Sequence, residues 1–350
     1  MTRLVAFCLL VLAIVAAGSG VLALVGGSES KASPAQGRGP LGSGKPVVLA
    51  FGGDVHFEGV LAQKLATSAS SMLGPIRPVL DSADLAVVNL ETAVTNSGFA
   101  TTKEFVFRAP PSAFAALRGG SVDVASLANN HGMDYGEQGL RDSLAAARRY
   151  RFPVVGAGLD AKRAYAPFRK TVNGQRIAII GATQVLDDHL ISAWTAGPGK
   201  PGLASAKDVP RLVREVRQAR RSADTVVVFV HWGIEAERCP SNRQKRLALT
   251  LVRAGADIVV GGHAHRQQGV GSMDGALVGY GLGNFVWYGT SELSTRTGVL
   301  LVTATGRRID EYRWVPARIV DGVPRPLTGT TRRNEIATWR ALRGCSGLRP

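Results

Sequence analysis

From residue 47 onward the chain alternates short β-branched apolar runs with segments of helical periodicity, and this alternation leaves few folds open. The runs are PVVLAFGG (46–53), LAVVNL (85–90), VDVASLA (122–128), FPVV (152–155), RIAIIGA (176–182), TVVVFV (225–230), DIVVGG (257–262) and ALVGYGLG (276–283). Apolar almost throughout and bounded by Gly, Pro or Asp, they predict strands buried on both faces, hence an α/β domain with largely parallel sheets. Between them Asp208 is placed to cap a helix running to about Ala223, Ser241 one ending at Gly255, and Ser112 one ending at Gly119. Beyond residue 290, GVLLVTATGRRIDEYRWVPARIV reads as two strands around a Gly-Arg turn, a hairpin able to extend one sheet.

Ligands of open α/β sheets bind beyond the carboxyl ends of the strands. Those ends carry Asp54-Val55-His56, Asn89-Leu90-Glu91, Asn129-Asn130-His131, His231-Trp232-Gly233 and His263-Ala264-His265. Five of the chain's 6 histidines therefore fall where a ligand belongs, which random placement over loops and helices rarely does. Taken singly, each piece has a plain reading as a cap, a turn residue or a solvated imidazole. Together they supply oxygen and imidazole donors without a thiolate, the set preferred by one or two hard-to-borderline divalent ions such as Mn, Fe or Zn.

The three cysteines, Cys8, Cys239 and Cys345, are too few for a disulfide scaffold or a thiolate zinc knuckle. Cys239 and Cys345 either pair, if the domain lies outside the reducing cytoplasm, or stay as two buried thiols. No charged residue occurs from Leu4 to Gly27, and Arg3 precedes that run, so residues 1–27 fit a signal peptide or a membrane anchor formed by an apolar helix. Either sends the rest across the membrane, which makes the expected location extracytoplasmic, secreted or membrane-anchored. Residues 28–46, rich in Gly, Ser and Pro, read as a flexible linker, 47–320 as the domain, and 321–350 as a basic tail around a short helical stretch.

Lys and Arg total 42 against 26 Asp and Glu, a formal charge of +16. Much of that excess sits on helix-like stretches such as RLVREVRQARR (211–221), whose other face is apolar, so it reads first as solvated helix surface. The same charge concentrates an anionic polymer near an exported domain. No aromatic-rich basic groove is visible, and nucleic acid is not an expected partner. Gly39 to Lys45 matches a phosphate-loop spacing, but Pro46 stands where a magnesium-binding Ser or Thr belongs and no strand precedes it. Asp187, Asp188 and His189 read as a solvated loop.

The order D-x-H, carboxylate, N-H, H, G-H-x-H resembles the calcineurin-like metal-dependent phosphoesterases. GDVHFEG (53–59), VVNLETAVT (87–95), ANNHGMDYG (128–136), VHWGIE (230–235), LVRAGADIVVGGHAH (251–265) and GLGNFVW (281–287) resemble more closely one branch, the poly-gamma-glutamate capsule synthesis CapA family, over about 47–290. The resemblance implies a four-layer α/β/β/α sandwich of metallo-dependent phosphatase type. It places Asp54, His56 and His265 on one ion, Asn130, His231 and His263 on a second, and Glu91 between them. His131 becomes an acid or phosphate-contacting group, Asp134 its orienting partner, and Glu235 a nearby group behind the ligands or toward substrate. The chain departs from the phosphoesterase pattern in having Glu91 where Asp is usual, and from the capsule branch in having His56 where an apolar residue is common and Ala264 where Pro is. The implied activity is a metal-dependent hydrolase or transferase in synthesis or export of an anionic envelope polymer such as poly-gamma-glutamate, acting with membrane synthase or export subunits. A phosphoesterase acting on an envelope phosphoester, or a non-catalytic polymer-binding accessory, are the alternatives.

Overall fold

The computed structural model describes residues 42–350. The expected signal peptide or anchor at 1–27 and most of the expected linker at 28–46 lie outside the described residues. Among the described residues no helix is long and apolar enough to cross a membrane.

Each apolar run forms a strand: Val47–Val55, Leu85–Leu90, Val124–Ser126, Val154–Val155, Gln175–Thr183, Thr225–Trp232, Ile258–His263 and Ala276–Gly279. Leu85–Leu90, Thr225–Trp232 and Ile258–His263 are buried at every position, as β-branched residues packed on both faces of a pleat require. Helices fill the spaces between. Asp208 caps Val209–Arg220 by accepting from Arg211 N at 3.1 Å. At Asn242–Ala254, Ser241 and Gln244 form a reciprocal capping box. Ser112 holds the N-cap position of Ala113–Gly119, but among the described residues its side chain makes no capping bond.

Two sheets organise the chain. The eight-stranded sheet runs in the order Val323–Pro326, Arg308–Val320, Arg296–Thr305, Val47–Val55, Leu85–Leu90, Val124–Ser126, Val154–Val155, with Asn284–Val286 beside Val47–Val55. The hairpin Arg296–Thr305 and Arg308–Val320 extends it antiparallel through Val47–Val55. A six-stranded sheet runs Val270–Met273, Ala276–Gly279, Ile258–His263, Thr225–Trp232, Gln175–Thr183, Phe168–Val172. The central ladders of both sheets are parallel, so each presents its carboxyl ends on one edge.

Side chains of the two sheets share one core, in which Leu49, Phe51, Val87 and Val124 meet Ile179, Val227, Phe229 and Val260. The other face of the first sheet packs against Leu61, Leu65, Phe114, Leu117, Leu140 and Leu144 from helices. That of the second packs against Leu212, Val216, Leu247 and Leu251. The fold is thus mixed α/β, with helices on the outer faces of two facing sheets.

Residues 321–350 contribute the edge strand Val323–Pro326 and the helix Gly329–Ala341, whose Trp339 stacks on Trp314 with ring centroids 5.4 Å apart. Cys239 and Cys345 are joined in a disulfide, which decides between the paired and free alternatives.

Candidate metal centre

The first strand must shift register to bring Asp54 to the edge, and it does so between Phe51 and Asp54, across Gly52-Gly53. A Cβ on Gly53 would lie 1.8 Å from Gly283 O, so only glycine lets these chains approach. On the facing strand a Cβ on Gly262 would lie 2.1 Å from Asp54 Oδ1. With glycine there, the Asp54 carboxylate tucks under the end of Ile258–His263, and its Oδ2 accepts from His263 N at 3.0 Å.

Glu91 follows Leu85–Leu90 and is wholly buried. Its Oε1 lies 3.6 Å from His231 Nε2 and 3.9 Å from the Nε2 atoms of both His131 and His265, yet it has no hydrogen-bond partner among the described residues. Asn89, two residues earlier and so on the same side of the strand, donates from Nδ2 to Asp54 Oδ1 at 2.9 Å and stands 3.3 Å from Glu91 Oε2. The same nitrogen is 3.1 Å from His231 Nδ1. Its other ring nitrogen, Nε2, stands 2.7 Å from Asn130 Oδ1. Asn129 locks Asn89 in turn, donating to its Oδ1 at 3.0 Å.

Burial holds the imidazoles uncharged. Burial first, then His265 and His131, lowers His56 to about 3. Burial and His265 take His263 to about 3, and burial and His263 push His231 well below the usual imidazole range. His265 goes the other way: burial opposes its charge, but its hydrogen bond and proximity to Asp54, with Glu235 and Asn284, outweigh that and raise it. Neutral imidazole is the ligating form.

His131 is set apart by Asp134. Asp134 accepts from Lys103 Nζ at 2.8 Å and from Phe107 N at 2.7 Å, so the proton in its 2.6 Å contact with His131 Nδ1 belongs to the imidazole. The unprotonated Nε2 then faces Glu91. Lys103 also donates to Asn130 O and lies 5.1 Å from the Trp194 ring, so this one buried ammonium joins three segments at the edge.

Three interlocking groups present ligand atoms within 4.8 Å of one another: Asp54, Glu91 and His265; Glu91, His231 and His263; and Glu235, His263 and His265. Of the residues expected from sequence, these bring together Asp54, Glu91, His231, His263, His265 and Glu235. Asn130 and His131 adjoin them, and Asp134 stands behind His131. His56 is not brought into any of the three. Its Nδ1 faces Glu58 N at 3.2 Å and its Nε2 faces Tyr288 N at 3.4 Å, while Phe107, Trp287 and Tyr288 box in its ring at centroid distances of 4.8, 4.1 and 4.5 Å. Asp187, Asp188 and His189 are exposed.

Whether a divalent ion suits these residues is answered by two buried atoms, Glu91 Oε1 and His263 Nδ1, which have no hydrogen-bond partner among the described residues. A native protein rarely leaves such atoms unpaired, and an anionic oxygen among neutral nitrogens is the environment a cation satisfies. The donors fit.

Residues 48–288 match the model of the family described as "Bacterial capsule synthesis protein PGA_cap". The chain belongs to this family. Every donor of the centre lies inside the matched segment, whereas Cys345 lies beyond it. Among members with curated names, the PGA biosynthesis protein CapA of Bacillus subtilis is 32% identical over 79% of this chain and 73% of its own length. The capsule biosynthesis protein CapA of Bacillus anthracis is 34% identical over 63% of this chain and 54% of its own. This capsule-family chain is therefore CapA-like. Among solved structures, the 5'-nucleotidase of Candida albicans superposes with a TM-score of 0.44 at 11% identity, covering 85% of this chain and 58% of that one.

Sequence reasoning passed over Asn89, Asn284, Lys103, Phe107 and Trp287 as site residues. Asn89 carried a signal, its spacing of two from Glu91 on a strand. Lys103 and Phe107 carried none, since tertiary packing alone turns their loop inward.

Proposed function

We propose that this protein is a metal-dependent hydrolase or transferase acting in the biosynthesis or export of poly-gamma-glutamate or a related anionic envelope polymer. The fold this reading takes is the four-layer sandwich of the metallo-dependent phosphatases. The observation that carries it is Glu91 Oε1, buried, without a hydrogen-bond partner among the described residues and within 3.9 Å of three imidazole nitrogens. Asp54, Glu91 and His265 would hold one ion; Glu91, His231 and His263, with Asn130 alongside, would hold a second. When bound, such ions lower the pKa of water and polarise phosphoryl or acyl oxygens.

The chain's own groups do the rest. His131, its Nδ1–H fixed by Asp134, keeps Nε2 free to accept a proton from an attacking hydroxyl or, once protonated, to return it to a leaving group. Lys103 holds Asp134 in place and adds a positive charge that favours an anionic substrate. Phe107 stacks on His131 with centroids 4.1 Å apart and Trp287 lies 4.4 Å from His265, forming an apolar wall on that flank of the centre.

The location consistent with this reading is extracytoplasmic, with residues 1–27 as signal or anchor. The Cys239–Cys345 bond supports an oxidising compartment. Anionic polymer and membrane-bound synthase or export subunits are the partners this reading takes. The test is turnover of γ-linked polyglutamate and of a panel of phosphoesters by the purified protein, with and without Mn. Metal-dependent cleavage or transfer that His131→Ala removes supports the reading. Salt-sensitive polymer binding without turnover of any substrate contradicts the enzymatic part.

A further inference from the structure

Glu235 stands on the segment between Thr225–Trp232 and Asn242–Ala254, where residues 234–239 are exposed. An exposed segment of this kind places a side chain poorly unless it is tied down. Glu235 nevertheless reaches His263 and His265 closely enough for all three to offer ligand atoms within 4.8 Å of one another. Two sets of ties account for this. On the inner side, Ala236 N donates to Ala264 O at 2.9 Å, Arg266 donates to Ala236 O at 3.1 Å, and Gln268, held by Gln244 at 2.9 Å, donates to Glu237 O at 3.0 Å and to Cys239 O at 3.4 Å.

On the outer side the only covalent tie among the described residues is Cys239 to Cys345, and Cys345 stands on firm ground. Lys245 Nζ donates to its carbonyl at 2.9 Å, and Ser272 and Arg349 exchange backbone hydrogen bonds of 2.7 and 3.0 Å just beyond it. Leu342 and Leu348, on either side, are buried in two different cores. The disulfide therefore fastens a solvent-exposed segment to a part of the chain that is itself fastened to the second sheet.

We propose that the Cys239–Cys345 bond holds Glu235 over the exposed side of the centre, where its carboxylate stands within ligating reach of an ion held by His263 or by His265. The proposal rests on the metal reading above. Glu235 is the exposed donor of its group, so its position depends on the segment rather than on core packing. With the bond opened, only the inner ties remain and the carboxylate spends less time within reach of the two imidazoles.

The experiment is calorimetric titration of the full-length protein with Mn, alongside amide exchange over residues 234–239. It compares wild type, Glu235→Gln, Cys239→Ser with Cys345→Ser, and all three substitutions combined. The proposal expects each change to weaken Mn binding about tenfold, the size of a lost positioning or ligand contact. The combined variant should be no weaker than Glu235→Gln alone, because both act through one carboxylate. Exchange over 234–239 should quicken in the serine variant. To separate positioning from misfolding, wild type is reduced with a phosphine, freed of it, titrated, and reoxidised; affinity should fall and then return. Unchanged affinity in the serine variant or in Glu235→Gln, or losses that add in the combined variant, overturns the proposal alone. No Mn binding by wild type overturns it together with the metal reading.

Discussion

Glu91 Oε1 stands 3.6 Å from His231 Nε2 and accepts no hydrogen bond from any described residue, although both side chains are buried. Burial above all, then the charges of Asp54 and Glu235, push the Glu91 carboxyl well above its ordinary value of 4.5. Because the folded value is the higher one, the metal-free protein enjoys this contribution to stability below about 4.5 and loses it as pH rises through the folded value. Glu91→Gln keeps the shape and removes the titration. In chelator, the melting temperature of Glu91→Gln should gain on wild type steadily as pH climbs from 4.5. Added Mn should reverse the order, since saturation at 100 times Kd stabilises only the protein that binds, by about 2.7 kcal/mol. A gap independent of pH contradicts this account of Glu91.

Asp134 satisfies three donors at once, from Lys103, Phe107 and His131. Asp134→Asn exchanges one accepting oxygen for an NH2 group and leaves a buried ammonium without its counter-charge. Breaking a buried pair in this way costs about 3–5 kcal/mol, and chemical denaturation should show a loss of that order. Lys103→Met with Asp134→Asn should recover part of it. Additive losses in that double-mutant cycle would mean the two groups are not coupled.

His56 was expected as a ligand because of the D-x-H pattern, yet its ring lies in an aromatic box with a backbone N–H opposite each nitrogen. Methionine fills a similar volume and packs well against aromatic rings. His56→Met removes an acceptor from part-buried backbone N–H and should cost about 1–3 kcal/mol of stability, while leaving the number of bound divalent ions unchanged. A drop in bound metal, read by elemental analysis, would make His56 a ligand.

The elements legible in the sequence were those whose burial is written in their composition. Leu85–Leu90, Thr225–Trp232 and Ile258–His263 each centre on a run of valines and are buried throughout. The strands passed over lack that signature. Phe168–Val172 is an edge strand with Arg169, Lys170 and Thr171 exposed, Asn284–Val286 spans only 3 residues, and Val323–Pro326 contains two prolines, tolerated because it closes the sheet edge. The same division runs through the site. Donors at strand ends could be read because strands fix where their ends point. Lys103, Phe107 and Trp287 could not, because long-range contacts alone decide where those loops fold. The pairing of Cys239 with Cys345, 106 residues apart, was likewise left open by sequence and decided by the fold.

The central claim is that these buried donors form a metal centre, and elemental analysis of protein equilibrated with Mn, Fe or Zn tests it most directly. His263 adopts φ +90°, so Asn, which accepts left-handed backbone more readily than other side chains, is the suitable replacement. Wild type should retain at least one equivalent of a divalent ion through gel filtration, and His263→Asn less than about a tenth of that, following loss of a ligand shared by two donor groups. Wild type that retains no metal under any of these conditions, or a variant that retains as much as wild type, would contradict the account.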